Sequence, residues 1–201
     1  VSPEVICRLM TDRKPLPGKL AFSRDLFVLL FLLRGMPFVD LAFLRRCDLQ
    51  GNVITYHRRK TSRKLTVVVG KEAMEIIQKY MYAIPDSPYL FPIIQNPGKD
   101  EYGQYARMLR LQNYRLTQVA NILGIRDRLS TYTARHTWAT TALRQNYNSS
   151  LICDAMGHSS VKVTETYFQP YRDDEVNRMN SSLITYILSK KKRGTDKKIR
   201  S

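Results

Sequence analysis

Three side chains in the second half of the chain, Arg135, His158 and Tyr167, are of types that can carry out chemistry on a phosphodiester. An arginine presents a planar fork that can hold two phosphate oxygens at once. A histidine can donate a hydrogen bond to a third oxygen, and a deprotonated phenol can attack phosphorus. Together they could transfer a phosphodiester without a metal, because guanidinium and imidazole would meet the charge on the non-bridging oxygens.

The local sequence predicts that helix ends position these groups. Ser130 or Thr133 is expected to cap a helix that carries Arg135 in its first turn. A short helix starting after Ser149 should end at Gly157, which places His158 in the turn that follows. The spacing from Arg135 to His158 and Tyr167 is therefore set by helix boundaries.

The rest of the chain predicts a mainly α fold with one small antiparallel β-sheet. Ser23 is expected to cap an apolar helix that Gly35 ends, and Pro37 should open the next helix. Residues 53–56 and 65–69 read as a β-hairpin, because β-branched residues flank a polar turn. Further helices are expected over 71–82, 102–123 and 173–188.

Composition makes a polyanion the first partner to consider. The 33 Lys and Arg residues exceed the 17 Asp and Glu residues, for a net charge of +16. Residues 190–201 contribute +6 of this, which leaves +10 on the body of the chain. The three cysteines are widely spaced and no metal-ligand pattern occurs, so neither a disulfide framework nor a cofactor is expected. The longest apolar run is far short of the roughly 20 residues that a membrane helix needs, so a soluble intracellular protein is predicted.

Three segments resemble motifs of the tyrosine recombinase (phage integrase) family: Arg34–Leu41, Thr131–Thr140, and Ala155–Ser160 continuing to Tyr167. The resemblance implies that residues 1–189 form the catalytic domain, that 190–201 are a basic, disordered tail, and that the core-binding domain which usually precedes it is absent from this chain. The amino-acid sequences of these motifs look most like those in integrases of conjugative and mobilisable elements from Bacteroides-type bacteria.

The resemblance also implies a role for each residue. Tyr167 would attack the scissile phosphate to give a 3′-phosphotyrosine link, while Arg135 and His158 stabilise the pentavalent state. Lys60, in the turn of the hairpin, would protonate the leaving 5′-oxygen, with Lys64 as the alternative. The basic residues around it would contact DNA: Arg58, Arg59, Arg63 and Lys64.

Two positions depart from the family pattern. The first catalytic arginine of the family falls where this chain has Pro37, so Arg34, Arg24 or another side chain would have to take its place, or cleavage would be poor. The usual histidine before Arg135 is replaced by Tyr132, a poor general base because the ordinary pKa of a phenol is about 10.

The leading hypothesis is a DNA strand-exchange integrase, monomeric as an isolated domain and tetrameric on paired sites of double-stranded DNA in the bacterial cytoplasm, with no membrane or small-molecule substrate. The alternatives are a catalytically weakened DNA-binding accessory protein of the same descent and a type IB topoisomerase-like enzyme.

Overall fold

The computed structural model describes residues 1–12, 14–160, 162, 164 and 177–185. Its helices and strands are, in order, α1 (Pro3–Thr11), α2 (Gly18–Leu32), α3 (Phe38–Ala42), β1 (Leu49–Gln50), β2 (Val53–His57), β3 (Lys64–Val68), α4 (Lys71–Tyr80), α5 (Glu101–Leu123), α6 (Thr131–Arg144) and α7 (Ser149–Met156). A short 3₁₀ helix, Arg46–Asp48, precedes β1. The predicted fold class, mainly α with a small antiparallel sheet, is confirmed.

The chain divides into two compact units, residues 1–167 and 168–201. In the second unit, residues 177–185 are helical. Met179, Leu183 and Ile184 are exposed on this segment. None of the helices in the described parts of the chain has both the length and the apolar character needed to cross a bilayer.

Helix α2 is the centre of the first unit. Its residues 26–30 are all buried, as expected for a helix that is apolar on every side and surrounded by other elements. Helices α1, α4, α5 and α6 pack around it. Because α6 carries Arg135, its packing on α2 fixes that arginine relative to the core.

The sheet is a three-stranded meander in the order β1–β2–β3, and both pairings are antiparallel. Ile54 and Tyr56 of β2 and Leu65 and Val67 of β3 are buried, in the alternation that period-two side chains give. The turn of the β2–β3 hairpin is closed by hydrogen bonds between backbone groups of residues 58, 62 and 63. This hairpin carries the cationic segment of the sequence toward the end of α7.

Two predicted helix starts differ from the structure. Ser23 lies inside α2, which begins at Gly18, because Leu20 and Phe22 already pack on the core and extend the helix upstream. The cap of α7 is Asn148, whose side chain accepts a hydrogen bond from the Ser150 N–H, in place of the expected Ser149. Strand β1 was not predicted, since two residues are too few to produce a pattern.

Candidate active site

Helix α6 begins with a capping box that fixes the position of Arg135. The Ser130 hydroxyl accepts from the Thr133 N–H, and the Thr133 hydroxyl accepts from the Ser130 N–H. The Thr131 N–H donates to the side-chain oxygen of Asn113 in α5, which anchors the first turn to a second helix. Of the two predicted caps, Ser130 is the one that the structure uses.

Helix α7 ends at Gly157, which adopts a left-handed conformation with φ of 63°. The His158 N–H then turns back to donate to the carbonyl of Cys153 at 3.1 Å. This turn satisfies one carbonyl of the last helical turn and leaves others exposed to side-chain donors. The imidazole of His158 is consequently held at a helix terminus whose partial negative charge attracts cations.

Arg135 and His158 come together at this helix end. The Arg135 Nη2 lies 2.6 Å from His158 Nε2 and donates to the Met156 carbonyl at 3.0 Å, while its Nη1 donates to the Gly35 carbonyl at 2.5 Å. Both residues are 6% exposed. The guanidinium is thus fixed by two backbone carbonyls and the imidazole.

These contacts determine the tautomer of His158. A guanidinium can only donate, so Nε2 must accept from Arg135 and the ring proton must be on Nδ1. That Nδ1–H donates to the hydroxyl of Thr164, a fully buried residue, at 2.7 Å. Thr164 therefore binds the imidazole at Nδ1, the nitrogen that does not contact Arg135.

The His158 imidazole is neutral near pH 7. Burial, together with the positive charges of Arg135, Arg58 and Lys60, lowers the pKa of His158 from 6.5 to about 4. An anion bound here would raise this pKa again, because it would oppose those charges. Anion binding would therefore favour protonation of His158.

A second arginine, Arg58, is buried beside the same helix end. Its Nε donates to Asp40 at 3.0 Å, and its Nη1 donates to the Met156 and Gly157 carbonyls at 2.8 and 3.0 Å. The other Asp40 oxygen accepts from the Arg59 N–H at 2.9 Å. Arg58 thereby joins the end of β2 to α3, through Asp40, and to the end of α7.

The remaining predicted residues of the hairpin turn are more exposed. Lys60 and Lys64 are exposed, and the charge of Lys60 is close enough to lower the pKa of His158. Arg59 lies over the ring of Phe43, with 3.8 Å between guanidinium carbon and ring centroid. Arg63 donates to Asp154 at 3.0 Å and to the His158 carbonyl at 3.3 Å. These cations form a positively charged rim next to Arg135 and His158.

This geometry can be compared with known proteins. The phage integrase family matches residues 1–173 of the chain. The chain belongs to the phage integrase family. Its sequence is 26% identical over 167 residues to tyrosine recombinase XerC of Thermodesulfovibrio yellowstonii, a match that covers 76% of this chain and 52% of that protein. The chain thus spans about half the length of this relative.

Solved structures share the fold of this integrase-family chain. The Tn1549 transposon integrase in complex with transposon right end DNA superposes with a TM-score of 0.66 at 13% identity, covering 92% of this chain and 65% of that one. The XerA recombinase gives a TM-score of 0.64 at 20% identity, covering 90% of this chain and 62% of that one. At such identities the similarity establishes the fold.

Pro37, assigned from the sequence to the family's first-arginine position, precedes α3. Arg34, in the preceding turn, has a φ of 59° and donates from Nη1 to the Thr66 carbonyl at 3.2 Å. Its neighbour Gly35 packs tightly on Arg135: a Cβ at Gly35 would lie 3.2 Å from the Arg135 Cα. The backbone of this turn therefore touches the site, while the Arg34 guanidinium lies against the sheet.

Arg24 has a different environment from the integrase-family site residues. It donates to Asp25, and Asp25 also accepts from Lys79 and from the Tyr80 hydroxyl. Arg24 lies inside α2, whereas Arg34 follows the C-terminus of that helix. The guanidinium of Arg24 is therefore paired with the Asp25 carboxylate, which also contacts Lys79 and Tyr80 of α4.

Tyr132 is exposed, and its ring stacks on that of His136 at a centroid distance of 6.4 Å. Tyr167, the expected nucleophile, lies outside the described residues. Among the residues that the structure describes, no group of three or more His, Cys, Asp or Glu side chains could hold a metal ion.

Two residues that bond to Arg58 and His158, namely Asp40 and Thr164, were not identified as site residues from the sequence. Asp40 lies within the segment Arg34–Leu41, and Thr164 lies within the segment that continues to Tyr167. Their positions inside the quoted motifs were the available signal. Their partners, however, are contributed by other elements, which a single sequence does not reveal.

Proposed function

We propose that this chain is the catalytic domain of a site-specific DNA recombinase that cleaves and rejoins DNA through a 3′-phosphotyrosine intermediate. The observation that carries the proposal is the buried contact of 2.6 Å between Arg135 and His158 at the end of α7, with Lys60 close enough to act on the imidazole. A guanidinium and an imidazole fixed at one point, beside a cationic rim, suit a phosphodiester.

In the proposed reaction, the phenol oxygen of Tyr167 forms a bond to phosphorus as the bond to the 5′-oxygen breaks. The phenol gives its proton to solvent water, and the 5′-oxygen gains one from Lys60. The Arg135 guanidinium exchanges its hydrogen bonds to the backbone carbonyls for hydrogen bonds to the non-bridging oxygens. His158 donates a hydrogen bond to the phosphate from Nε2. A second DNA strand's 5′-hydroxyl reverses these steps and rejoins the backbone.

The surrounding residues have supporting roles in this proposal. Arg59, Arg63 and Lys64 contact the DNA backbone. Of the two candidates for the missing first arginine, Arg34 is nearer to Pro37 along the chain than Arg24. Tyr132 replaces the family's histidine as an exposed hydrogen-bond donor. We further propose that the domain is monomeric alone and tetrameric on paired sites, and that it acts in the bacterial cytoplasm for a conjugative or mobilisable element.

Covalent capture tests the function. The 201-residue chain is incubated with nicked duplexes of randomised sequence, from which the cleaved piece diffuses away, and adducts that survive denaturing washes are sequenced. An adduct formed by the wild type and absent in Tyr167→Phe supports the enzyme. The absence of any adduct from the whole pool would favour a DNA-binding protein instead. Relaxation of a plasmid that lacks the selected sequence would indicate a topoisomerase.

A further inference from the structure

Arg58 is an unusual member of the cationic turn because its side chain is buried. It is 6% exposed, whereas its neighbours Arg59 and Lys60 are exposed. Long charged side chains are almost never buried unless they are paired. Asp40, whose side chain is completely buried, supplies that pair at 3.0 Å.

The hydrogen bonds of Arg58 use only part of its guanidinium. Nε is taken by Asp40, and Nη1 is shared between the Met156 and Gly157 carbonyls. Within the described part of the chain, Nη2 makes no hydrogen bond. An arginine has five N–H donors, so two remain for a ligand on the Nη2 edge.

Arg58 and Arg135 converge on a single atom, the carbonyl oxygen of Met156. Arg58 Nη1 lies 2.8 Å from it and Arg135 Nη2 lies 3.0 Å from it, so these two nitrogens are at most about 6 Å apart. Charged N–H groups bind anionic oxygens at about 2.8 Å, and the two non-bridging oxygens of one phosphate fit between donors at this separation. Two guanidinium groups can therefore meet the same anion.

We propose that Arg58 is a catalytic residue which supplies the second guanidinium of the phosphate site, in the place left vacant by Pro37. Its Nη2 edge binds a non-bridging oxygen of the scissile phosphate while Arg135 binds the other. Asp40 accepts a hydrogen bond from Arg58 Nε, which leaves the Nη2 edge of the guanidinium for the ligand. The inference rests on the proposed function and names Arg58 in preference to Arg34 for this position.

The adduct-forming sequence from the capture experiment provides the test. It is prepared with an ordinary scissile phosphate and with a methylphosphonate, in which a neutral methyl group replaces one charged oxygen. A guanidinium that neutralises that charge is needed less on the second substrate. Single-turnover adduct formation is measured on both for the wild type, Arg58→Ala, Arg58→Lys and Arg34→Ala.

The expected result is a loss of about 10²- to 10³-fold for Arg58→Ala on the phosphate, the size found when one charge-stabilising donor is removed. On the methylphosphonate the loss should shrink to about tenfold or less, and added guanidinium ion should restore part of the rate on the phosphate. An equal loss on both substrates would mean that Arg58 only supports the fold, and relief confined to Arg34→Ala would assign the position to Arg34. Either outcome overturns the proposal.

Arg46 provides the matched structural control. It is half-buried, and its guanidinium donates to the carbonyls of Met81, Ile84 and Pro85, outside the site. Arg46→Ala should lower stability and leave the ratio of the two rates at its wild-type value. A changed ratio in Arg46→Ala would show that the ratio reports folding, and would remove the support for Arg58.

A binding measurement covers variants that do not fold and separates the two proposals. Inorganic phosphate is titrated into the wild-type chain with ¹⁵N-labelled arginine, and the side-chain signals are followed by NMR. The signals of Arg58 and Arg135 should shift together, and saturably. Absence of any adduct from the DNA pool would refute the proposed function, whereas an unmoved Arg58 signal beside a shifting Arg135 signal would refute the role of Arg58.

Discussion

At the scale of single residues, the Thr164 hydroxyl can act as either donor or acceptor, as the proposed reaction requires. In the structure it accepts from His158 Nδ1, which leaves Nε2 as an acceptor for Arg135. To donate to a phosphate, His158 must carry its proton on Nε2, and Nδ1 then needs a donor. A hydroxyl can play either part because it is both donor and acceptor. Thr164 thus supports both tautomers of His158.

Thr164→Val should therefore reduce the single-turnover cleavage rate by about tenfold, the cost of one unsatisfied buried group. The ¹⁵N chemical shifts of the His158 ring should report a changed tautomer balance, and Thr164→Ser should restore both rate and shifts. Thr137 is a buried threonine whose hydroxyl donates to the Val1 carbonyl, so Thr137→Val is the control. Equal effects of the two valine variants on the His158 shifts would contradict a role through the imidazole.

The depressed pKa of His158 gives a pH dependence of stability. Its folded-state pKa of about 4 lies below the ordinary value of 6.5, so between these pH values the unfolded chain binds a proton that the folded chain does not. The contribution of His158 is complete above about pH 6.5 and is lost as the pH falls toward 4. Urea unfolding at pH 7 and pH 4.5 should show a smaller loss for His158→Gln than for the wild type. His57→Gln, at an exposed position, should keep the wild-type loss.

The sequence identified Arg135 and His158 but not the burial of Arg58, for a physical reason. Arg135 and His158 sit beside helix caps and in motifs, which are local signals, and the structure brings them together. Arg58 belongs to a run of cations that is indistinguishable from a solvated turn, and its burial depends on Asp40, 18 residues earlier in α3. Pairings of this kind become visible only when the elements have been assembled.

At the scale of elements, the end of α7 organises the site. Its last carbonyls accept from Arg135 and Arg58, and the carbonyl of His158 accepts from Arg63. Cations are favoured at a helix C-terminus, where unpaired carbonyls carry partial negative charge. The glycine that ends α7 and the hairpin that delivers the arginines were both predicted. Their contact was not, because it joins residues almost 100 positions apart.

Gly157 and Gly124 form a matched pair for testing this helix end. Both end a helix with φ of 63°, so an alanine at either is strained by about 1–2 kcal/mol. A Cβ at Gly124 meets nothing within 4 Å, whereas one at Gly157 would lie 2.8 Å from both Arg58 Cδ and Leu65 Cδ1. Gly157→Ala should therefore lower the urea midpoint more than Gly124→Ala, and only Gly157→Ala should slow cleavage strongly. Equal effects of the two substitutions would contradict the close packing of the hairpin on α7.

The β2–β3 turn carries Lys60, whose proposed role as general acid can be separated from DNA binding. Sulfur in place of the bridging 5′-oxygen leaves without a proton, so a variant lacking the acid should recover on that substrate. Lys60→Ala should lose about 10²- to 10⁴-fold on the ordinary substrate and much less on the sulfur one. Lys64→Ala should weaken binding with no recovery by sulfur, since its charge is not among those that depress the pKa of His158. The reverse pattern would transfer the role to Lys64.

At the scale of the whole molecule, positive charge is divided between the body and the C-terminal segment. The described body holds Arg58, Arg59 and Arg63 of the hairpin in fixed positions by contacts with other residues. Residues 190–201 add +6 of the total of +16 in a run without apolar residues except Ile199. Such a run attracts phosphates without selecting among them. Specific and non-specific attraction should therefore be separable by deletion.

Deleting residues 190–201 should lower the affinity for an arbitrary duplex and flatten its salt dependence, because each lost phosphate contact reduces the log–log slope by about 0.9. Fluorescence anisotropy of a labelled duplex over a series of KCl concentrations measures that slope. A chain with the same twelve residues in scrambled order should retain the wild-type slope, since the effect depends on charge and not on sequence. The single-turnover rate on the selected substrate at saturating protein should be unchanged, because Arg135 and His158 are anchored within the first unit. An unaltered slope would place the non-specific contacts on the body of the domain, with its remaining charge of +10.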